Sequence, residues 1–168
     1  DLHSFPTRRS SDLAGQEIRQ LQAADFDAGQ EIRQLQADRT DVGGIAIFTG
    51  QVRDTGDKPL GFMHLEHYPG MTEASLQQTA EQAAQRWALI DIRIVHRIGD
   101  LLPGDQIVFV GVSSIHREAA FNACEFIMDH LKTHAPFWKK EYYRDGSTQW
   151  VEAKQTDQQR NARWDQHN

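Results

Sequence analysis

Two lysines lie seven positions apart in the segment 132–139, with a proline and two aromatic residues between them. Lys132 falls in the last turn of a predicted amphipathic helix. Pro136 ends that helix, because its ring removes an N–H donor and biases Ala135 away from helical angles. Lys139 follows in a predicted extended segment. This spacing holds two ammonium groups at a rigid corner between a helix and a strand, which suits an anionic substrate.

Two amines that face one pocket disfavour each other's charge, so one of them is suited to act as a general acid or base, or as a nucleophile. The alternative is a lysine at a helix C-terminus that interacts with the helix dipole, followed by an unrelated solvated lysine. The corner formed by Pro136, Phe137 and Trp138 favours the functional interpretation, because it restricts where both amines can go.

Three further residues are candidate anion ligands. His116 and Arg117 lie at a predicted junction between a strand and a helix, where free backbone N–H groups also attract anions. Arg53 follows a predicted strand and begins a glycine-rich loop. The alternatives are an exposed first helical turn, with Arg117 paired to Glu118 or Glu125, and a surface salt bridge at Arg53.

The eight histidines and the one cysteine give weaker signals. His130 and His134 have the spacing of two zinc ligands on a helix, but the pattern supplies no third ligand. Cys124 lies on the apolar stripe of its predicted helix, so we expect a buried structural thiol. A lone cysteine also excludes an internal disulfide. We therefore predict no metal site.

Composition limits the classes of protein to which the chain can belong. It has 168 residues, of which 39% are hydrophobic and 25% charged, enough for a packed core. The formal net charge of −6 argues against binding nucleic acid or an anionic membrane, since both need a basic surface. No apolar run approaches the roughly 20 residues that span a bilayer. We expect a soluble cytoplasmic protein.

Strand and helix patterns alternate along most of the chain. Strands are predicted over residues 45–52, 62–68, 91–98 and 106–114, helices over 72–87 and 116–133, and a β-hairpin over 137–153 with its turn at Asp145-Gly146. This order predicts an α+β or α/β sandwich with a separate small hairpin region.

The N-terminal region has a different character. A ten-residue sequence at 14–23 recurs unchanged at 28–37, although repeat folds need at least three copies to bury a core. We therefore predict an extraneous or mis-assembled extension over 1–24, a domain over 25–154 and a polar tail or short helix over 155–168. The alternative for the first copy is an amphipathic helix docked on the body. The second copy is predicted to be a short helix.

Several ordered motifs of this chain resemble the large, catalytic subunit of molybdopterin synthase. They are Phe48-Thr49-Gly50-Gln51-Val52-Arg53, Leu65-Glu66-His67-Tyr68-Pro69-Gly70-Met71-Thr72, His96-Arg97-Ile98-Gly99, His116-Arg117 and the lysine-bearing segment 131–139. The resemblance covers roughly residues 24–164. It implies an α/β hammerhead fold with an additional small antiparallel β subdomain, which agrees with the α+β pattern of elements.

The resemblance also implies an activity and partners. Members of that family convert cyclic pyranopterin monophosphate into molybdopterin by installing a dithiolene. The sulfur arrives as a thiocarboxylate on the C-terminal Gly-Gly of a small ubiquitin-like carrier subunit. Two large subunits form a homodimer within a heterotetramer, and the reaction needs no metal or cofactor in the enzyme.

Matched by motif, the resemblance assigns a role to seven residues, some of which the neighbouring subunit supplies. Lys132 is the principal catalytic lysine and Lys139 its partner, while the substrate-binding residues are Arg53, His116, Arg117, Lys140 and Glu141. The chain departs from the family at Gln51, where lysine is frequent, and at Lys140 and Lys154, where arginine is frequent. A lysine offers a point charge in place of a bidentate phosphate contact.

Two other functional hypotheses stay open at this point. The first is a non-catalytic scaffold that binds the ubiquitin-like carrier or a phosphate ligand. The second is a metal-dependent hydrolase, which rests on the number of histidines alone.

Overall fold

Two four-stranded sheets organise the chain in a computed structural model, which describes residues 19–54, 56–151 and 155–166. The first sheet has the strand order β1-β4-β6-β2, formed by Arg19–Gln22 (β1), Gly44–Gln51 (β2), Asp91–Arg97 (β4) and Gln106–Ser114 (β6). The second has the order β5-β3-β7-β8, formed by Leu60–His67 (β3), Gly99–Leu101 (β5), Phe137–Tyr143 (β7) and Thr148–Val151 (β8). The predicted α+β fold with an additional antiparallel sheet is confirmed.

Helices cover both faces of the first sheet. They are Ala28–Gln36 (α1), Met71–Arg86 (α2), Arg117–His134 (α3) and Gln155–Ala162 (α4), the last followed by a 3-10 turn at Arg163–Gln166. Side chains alternate across β6, so Val108, Val110 and Val112 pack in the core under α2 and α3, while Phe109 packs with Leu35 of α1. None of the described helices combines the length and the apolar composition that a membrane crossing requires.

The corner between α3 and β7 has the predicted form. The helix ends at His134, and Ala135 adopts extended angles (φ −73°, ψ 120°) before Pro136. Two hydroxyl groups of α2 hold the corner, because Thr72 Oγ1 donates to the Pro136 carbonyl at 2.7 Å and Ser75 Oγ donates to the His134 carbonyl at 3.2 Å. The junction that carries the lysine pair is thus fixed to a neighbouring helix.

The predicted hairpin is confirmed as β7 and β8, which pair in antiparallel fashion with Tyr142 opposite Thr148. Asp145 Oδ1 accepts a hydrogen bond from the Ser147 N–H at 2.8 Å, and Gly146 has a φ of 86°. Only glycine adopts that left-handed conformation without strain, which explains the Asp-Gly signal.

The first copy of the repeat forms a strand where the structure describes it, and not the amphipathic helix that was the alternative for it. Residues Arg19–Gln22 pair in parallel with β4, and the Arg97 guanidinium donates to the Ala23 carbonyl at 2.9 Å. The edge of β4 offers free backbone groups to any extended segment, so tertiary pairing overrides the helical pattern here. These residues are a strand of the first sheet, while residues 1–18 lie outside the described part of the chain. The short strand β5 was also not predicted.

Candidate active site

A cavity of about 680 Å³ lies where the C-terminal end of α3, the end of β2 and one face of β7 meet. Among the residues that the structure describes, those with charged side chains lining it are Arg53, Lys132, Lys139, Glu141 and Asp157. Three of these five side chains are cationic, in a protein whose formal net charge is −6. The cavity is therefore a local basic site in an acidic molecule, as an anionic ligand requires.

Arg53 reaches the cavity from the end of β2. The preceding residue, Val52, is buried, and its backbone is held on both sides: its N–H donates to the Asp105 carbonyl and its carbonyl accepts from Gly104 N, each at 2.8 Å. The exposed Arg53 side chain therefore projects from a fixed backbone position. Gln51 also lines the cavity, and its amide donates to Thr49 Oγ1 at 3.1 Å.

Lys132 reaches the cavity from the last turn of α3. Leu131 beside it is buried in the main core and fixes the rotation of the helix, which leaves Lys132 exposed toward the cavity. The cation also lies near the negative end of the α3 dipole, where it is favoured electrostatically.

Strand β7 supplies the other wall, and its side chains alternate between two faces. Phe137, Lys139 and Glu141 line the cavity. Lys140 lies on the opposite face of the sheet, where its Nζ is 5.0 Å from the centre of the Trp150 ring. Lys140 was predicted to line the same pocket as Glu141. Within one chain the two side chains lie on opposite faces of β7, because consecutive residues of a strand point to opposite sides.

Glu141 accepts a hydrogen bond from the hydroxyl group of Tyr143, two residues further along the same face of β7. This hydrogen bond raises the pKa of Tyr143 above its ordinary value. It also fixes the Glu141 carboxylate at the cavity wall, so a negative charge stands close to the cations that line the same space.

His96 is a cavity residue to which the sequence assigned no role. It is only 6% exposed, and its ring stacks on Phe137 with centroids 3.9 Å apart and an interplanar angle of 17°. Burial lowers the pKa of His96 to about 3, and the positive charges of Lys139 and Lys132 act in the same direction. The available signal was its place after Ile92 and Ile94 on one face of β4, where a polar residue ends an apolar series.

His116 and Arg117 lie far from the cavity within one chain. They begin α3, whereas Lys132 is in its last turn, and a helix of 18 residues is about 27 Å long. Both side chains are exposed. The structure therefore brings together Arg53, Lys132, Lys139 and Glu141 but leaves this predicted pair at the opposite end of α3.

The histidine pair with zinc-like spacing forms a different kind of cluster. His130 and His134 have ring centroids 4.6 Å apart, and His134 Nε2 lies 2.8 Å from the amide nitrogen of Asn161. Within the described residues, no group of three or more His, Cys, Asp or Glu side chains is arranged to hold a metal ion. Cys124 is buried, as expected, and burial raises its pKa to about 12.

Known proteins share both the sequence and the fold. The molybdopterin synthase catalytic subunit of Vibrio cholerae is 56% identical over 125 residues, which cover 73% of this chain and 82% of that protein. A solved MoaE protein of Burkholderia ambifaria has a TM-score of 0.77 and 49% identity, and the match covers 89% of this chain and 99% of that one.

A solved structure with lower sequence identity resembles this chain in fold only. It is a complex of subunits 1 and 2 of the molybdopterin-converting factor from Helicobacter pylori, with a TM-score of 0.66 and 18% identity over 82% of this chain and 91% of that one. The MoaE protein family itself matches residues 21–134. That span is most of the described chain and contains Arg53 and Lys132. The chain therefore belongs to the MoaE protein family.

Proposed function

We propose that this chain is the catalytic subunit of a molybdopterin synthase. It transfers sulfur from the thiocarboxylated C-terminus of a small ubiquitin-like carrier to cyclic pyranopterin monophosphate, and so forms the dithiolene of molybdopterin. Family membership and the names of close relatives support this assignment. The observation that carries it is the presence of Lys132 and Lys139 in one cavity together with Arg53.

The cations suit both halves of the reaction. The Arg53 guanidinium offers a planar pair of donors to the phosphate of the pterin, and the lysines add point charges. Two C–S bonds form in turn, one at each of two adjacent carbons of the pterin side chain, each with the sulfur of one thiocarboxylate. At one carbon the C–O bond to the cyclic phosphate breaks and leaves a phosphate monoester, and at the other the carbonyl oxygen leaves as water. Water then attacks the acyl carbon, the acyl C–S bond breaks, and the carrier leaves as a carboxylate. An ammonium group of Lys132 or Lys139 stabilises the oxyanion of that tetrahedral intermediate and donates a proton, and the resulting neutral amine accepts one.

A carrier tail ending in Gly-Gly can approach the cavity closely, since glycine has no side chain to obstruct it. The Helicobacter complex supports a second, small subunit as partner. We propose the arrangement expected of the family, a central homodimer of this chain with one carrier bound at each end. In that assembly the neighbouring subunit brings His116 and Arg117 to the phosphate, because one chain alone keeps them at the far end of α3 from Lys132.

The test is a reaction of the purified chain with thiocarboxylated carrier and cyclic pyranopterin monophosphate, followed by an assay for dithiolene product. We expect Lys132→Ala to lower product formation by about 100-fold or more, as the loss of a positioned acid or base does. The control is Lys58→Ala, since Lys58 pairs with Asp145 at 3.6 Å and is not a cavity residue.

Both variants should retain the thermal transition of the parent chain. Turnover of Lys132→Ala at the parent rate would refute the catalytic assignment. Carrier binding by the parent chain without any dithiolene product would instead favour the scaffold hypothesis.

A further inference from the structure

The His96 side chain presents an unused acceptor to the cavity. Its Nδ1 lies 2.8 Å from the Arg97 carbonyl. A carbonyl oxygen only accepts, so Nδ1 carries the proton and Nε2 holds a lone pair. Nε2 has no hydrogen-bond partner among the described residues. It is also not fully enclosed, since the fully enclosed side-chain atoms without a partner belong to other residues. Nε2 therefore reaches the cavity that His96 lines.

The position of this acceptor is fixed before any ligand arrives. The hydrogen bond to the Arg97 carbonyl sets the rotation of the ring, and the stack on Phe137 at 3.9 Å sets its plane. Phe137 is itself held at the corner where Thr72 fixes Pro136. A preorganised acceptor of this kind discriminates between ligands by geometry as well as by affinity.

The surrounding charges keep the ring neutral. The charged groups that line the same cavity are Lys132 on α3, Lys139 and Glu141 on β7, Arg53 after β2 and Asp157 on α4. Because the pKa of His96 lies at about 3, the imidazole is uncharged throughout the physiological range. His96 is thus too weak a base to take protons from the lysines, and what remains available is its capacity to accept a hydrogen bond.

We propose that His96 determines specificity for the heterocycle of the substrate: Nε2 accepts a hydrogen bond from an N–H or O–H group of the pterin, while the cations bind the phosphate. The inference rests on the proposed function and extends it from the phosphate to the ring system. A buried acceptor left unpaired disfavours ligands that lack a matching donor, so the cavity selects against simple phosphates and phosphorylated apolar groups.

Calorimetric titration of the full chain tests this with two ligands, cyclic pyranopterin monophosphate and inorganic pyrophosphate. The two variants are His96→Phe, which keeps a flat ring against Phe137 but has no acceptor, and His96→Gln, whose carboxamide oxygen restores one. We expect His96→Phe to weaken pterin binding about tenfold and to leave pyrophosphate binding unchanged, with His96→Gln within about threefold of the parent chain.

Equal pterin affinity of His96→Phe and the parent chain would overturn the inference. So would a parallel loss of pyrophosphate binding, or a failure of His96→Gln to restore the pterin, because the effect would then be structural. Absence of pterin binding by the parent chain would refute the proposed function itself.

Discussion

Lys139 and Lys140 are consecutive residues of β7, but their side chains have different surroundings. Lys139 lines the cavity with Phe137 and Glu141, whereas Lys140 lies over the rings of Trp150 and Tyr142 on the other face of the second sheet. Each environment follows from the two-residue period of a strand. The chemistry assigned to a lysine in this segment therefore depends on its face, and the pair is a natural matched control.

We predict that Lys139→Gln and Lys140→Gln differ sharply in activity. Both changes remove one positive charge from the same strand, so their effects on net charge are equal. Lys139→Gln should lower single-turnover dithiolene formation by about 100-fold, because it removes an ammonium group from the cavity, while Lys140→Gln should stay within about threefold of the parent chain. Similar losses in both variants would show that the two faces are not functionally distinct.

Much of the candidate site could be predicted from residue types and spacing. The Pro136 corner brings Lys132 and Lys139 into one cavity, as the sequence indicates, and Arg53 joins them from a strand end. Two features needed more than spacing. The face on which Lys140 lies is set by the alternation of β7, which a motif match does not include. His96 was missed because its environment comes from β7, a strand that is distant in sequence.

At the scale of elements, one short sequence adopts two structures. Arg19-Gln20-Leu21-Gln22 is the edge strand β1, and the identical Arg33-Gln34-Leu35-Gln36 is the last part of helix α1. The helix has an N-cap, since Asp27 Oδ1 accepts from the Gln30 N–H at 3.1 Å, whereas the corresponding position before the first copy is Leu13. Intrinsic propensity is the same in both copies, so capping and tertiary contacts decide the outcome.

This duplication allows a comparison of two leucines with identical local sequence. Leu35 is 1% exposed and packs with Phe26, Val95 and Phe109, whereas Leu21 is only partly buried at the edge of the main core. We predict that Leu35→Ala lowers the free energy of unfolding by about 2–5 kcal/mol through an unfilled cavity. Leu21→Ala should lower the free energy of unfolding by about 1 kcal/mol, because folding buries less of the apolar surface of this side chain.

Equilibrium urea denaturation of the two variants measures the difference between these losses of stability. The comparison is valid if the free energy of unfolding depends on urea concentration with the same slope in the variants and the parent chain. Equal losses would mean that β1 and α1 contribute alike to the core, against the burial seen here. The length of an element explains why two strands were not predicted. Strands β1 and β5 have 4 and 3 residues, too few for a clear period, and exist only through pairing with β4 and β3.

At the scale of the whole molecule, α3 separates two groups of candidate ligands. His116 and Arg117 stand at its first turn and Lys132 at its last, a separation of about 25 Å along the axis. No cyclic phosphate spans that distance. If these residues serve one phosphate, two copies of the chain must share each site, as in a symmetric dimer where both sites are equivalent.

Mixed dimers give this arrangement a quantitative test. Lys132→Ala and Arg117→Ala should each be nearly inactive alone. When the two chains are unfolded, mixed equally and refolded, half of the dimers combine both variants, and one of their two sites then has an intact Lys132 and an intact Arg117. We therefore expect about a quarter of the parent activity to return.

The control mixture combines Lys132→Ala with Arg53→Ala. Both residues line the cavity of one chain, so every site in a mixed dimer retains one of the two defects, and no activity should return. Recovery in the first mixture alone means that Arg117 acts across the dimer interface. If neither mixture recovers, although native mass spectrometry shows that mixed dimers have formed, then Arg117 does not complete the site of a neighbouring subunit. The cavity formed by Arg53, Lys132 and Lys139 would in that case have to bind the phosphate with the cations of a single chain.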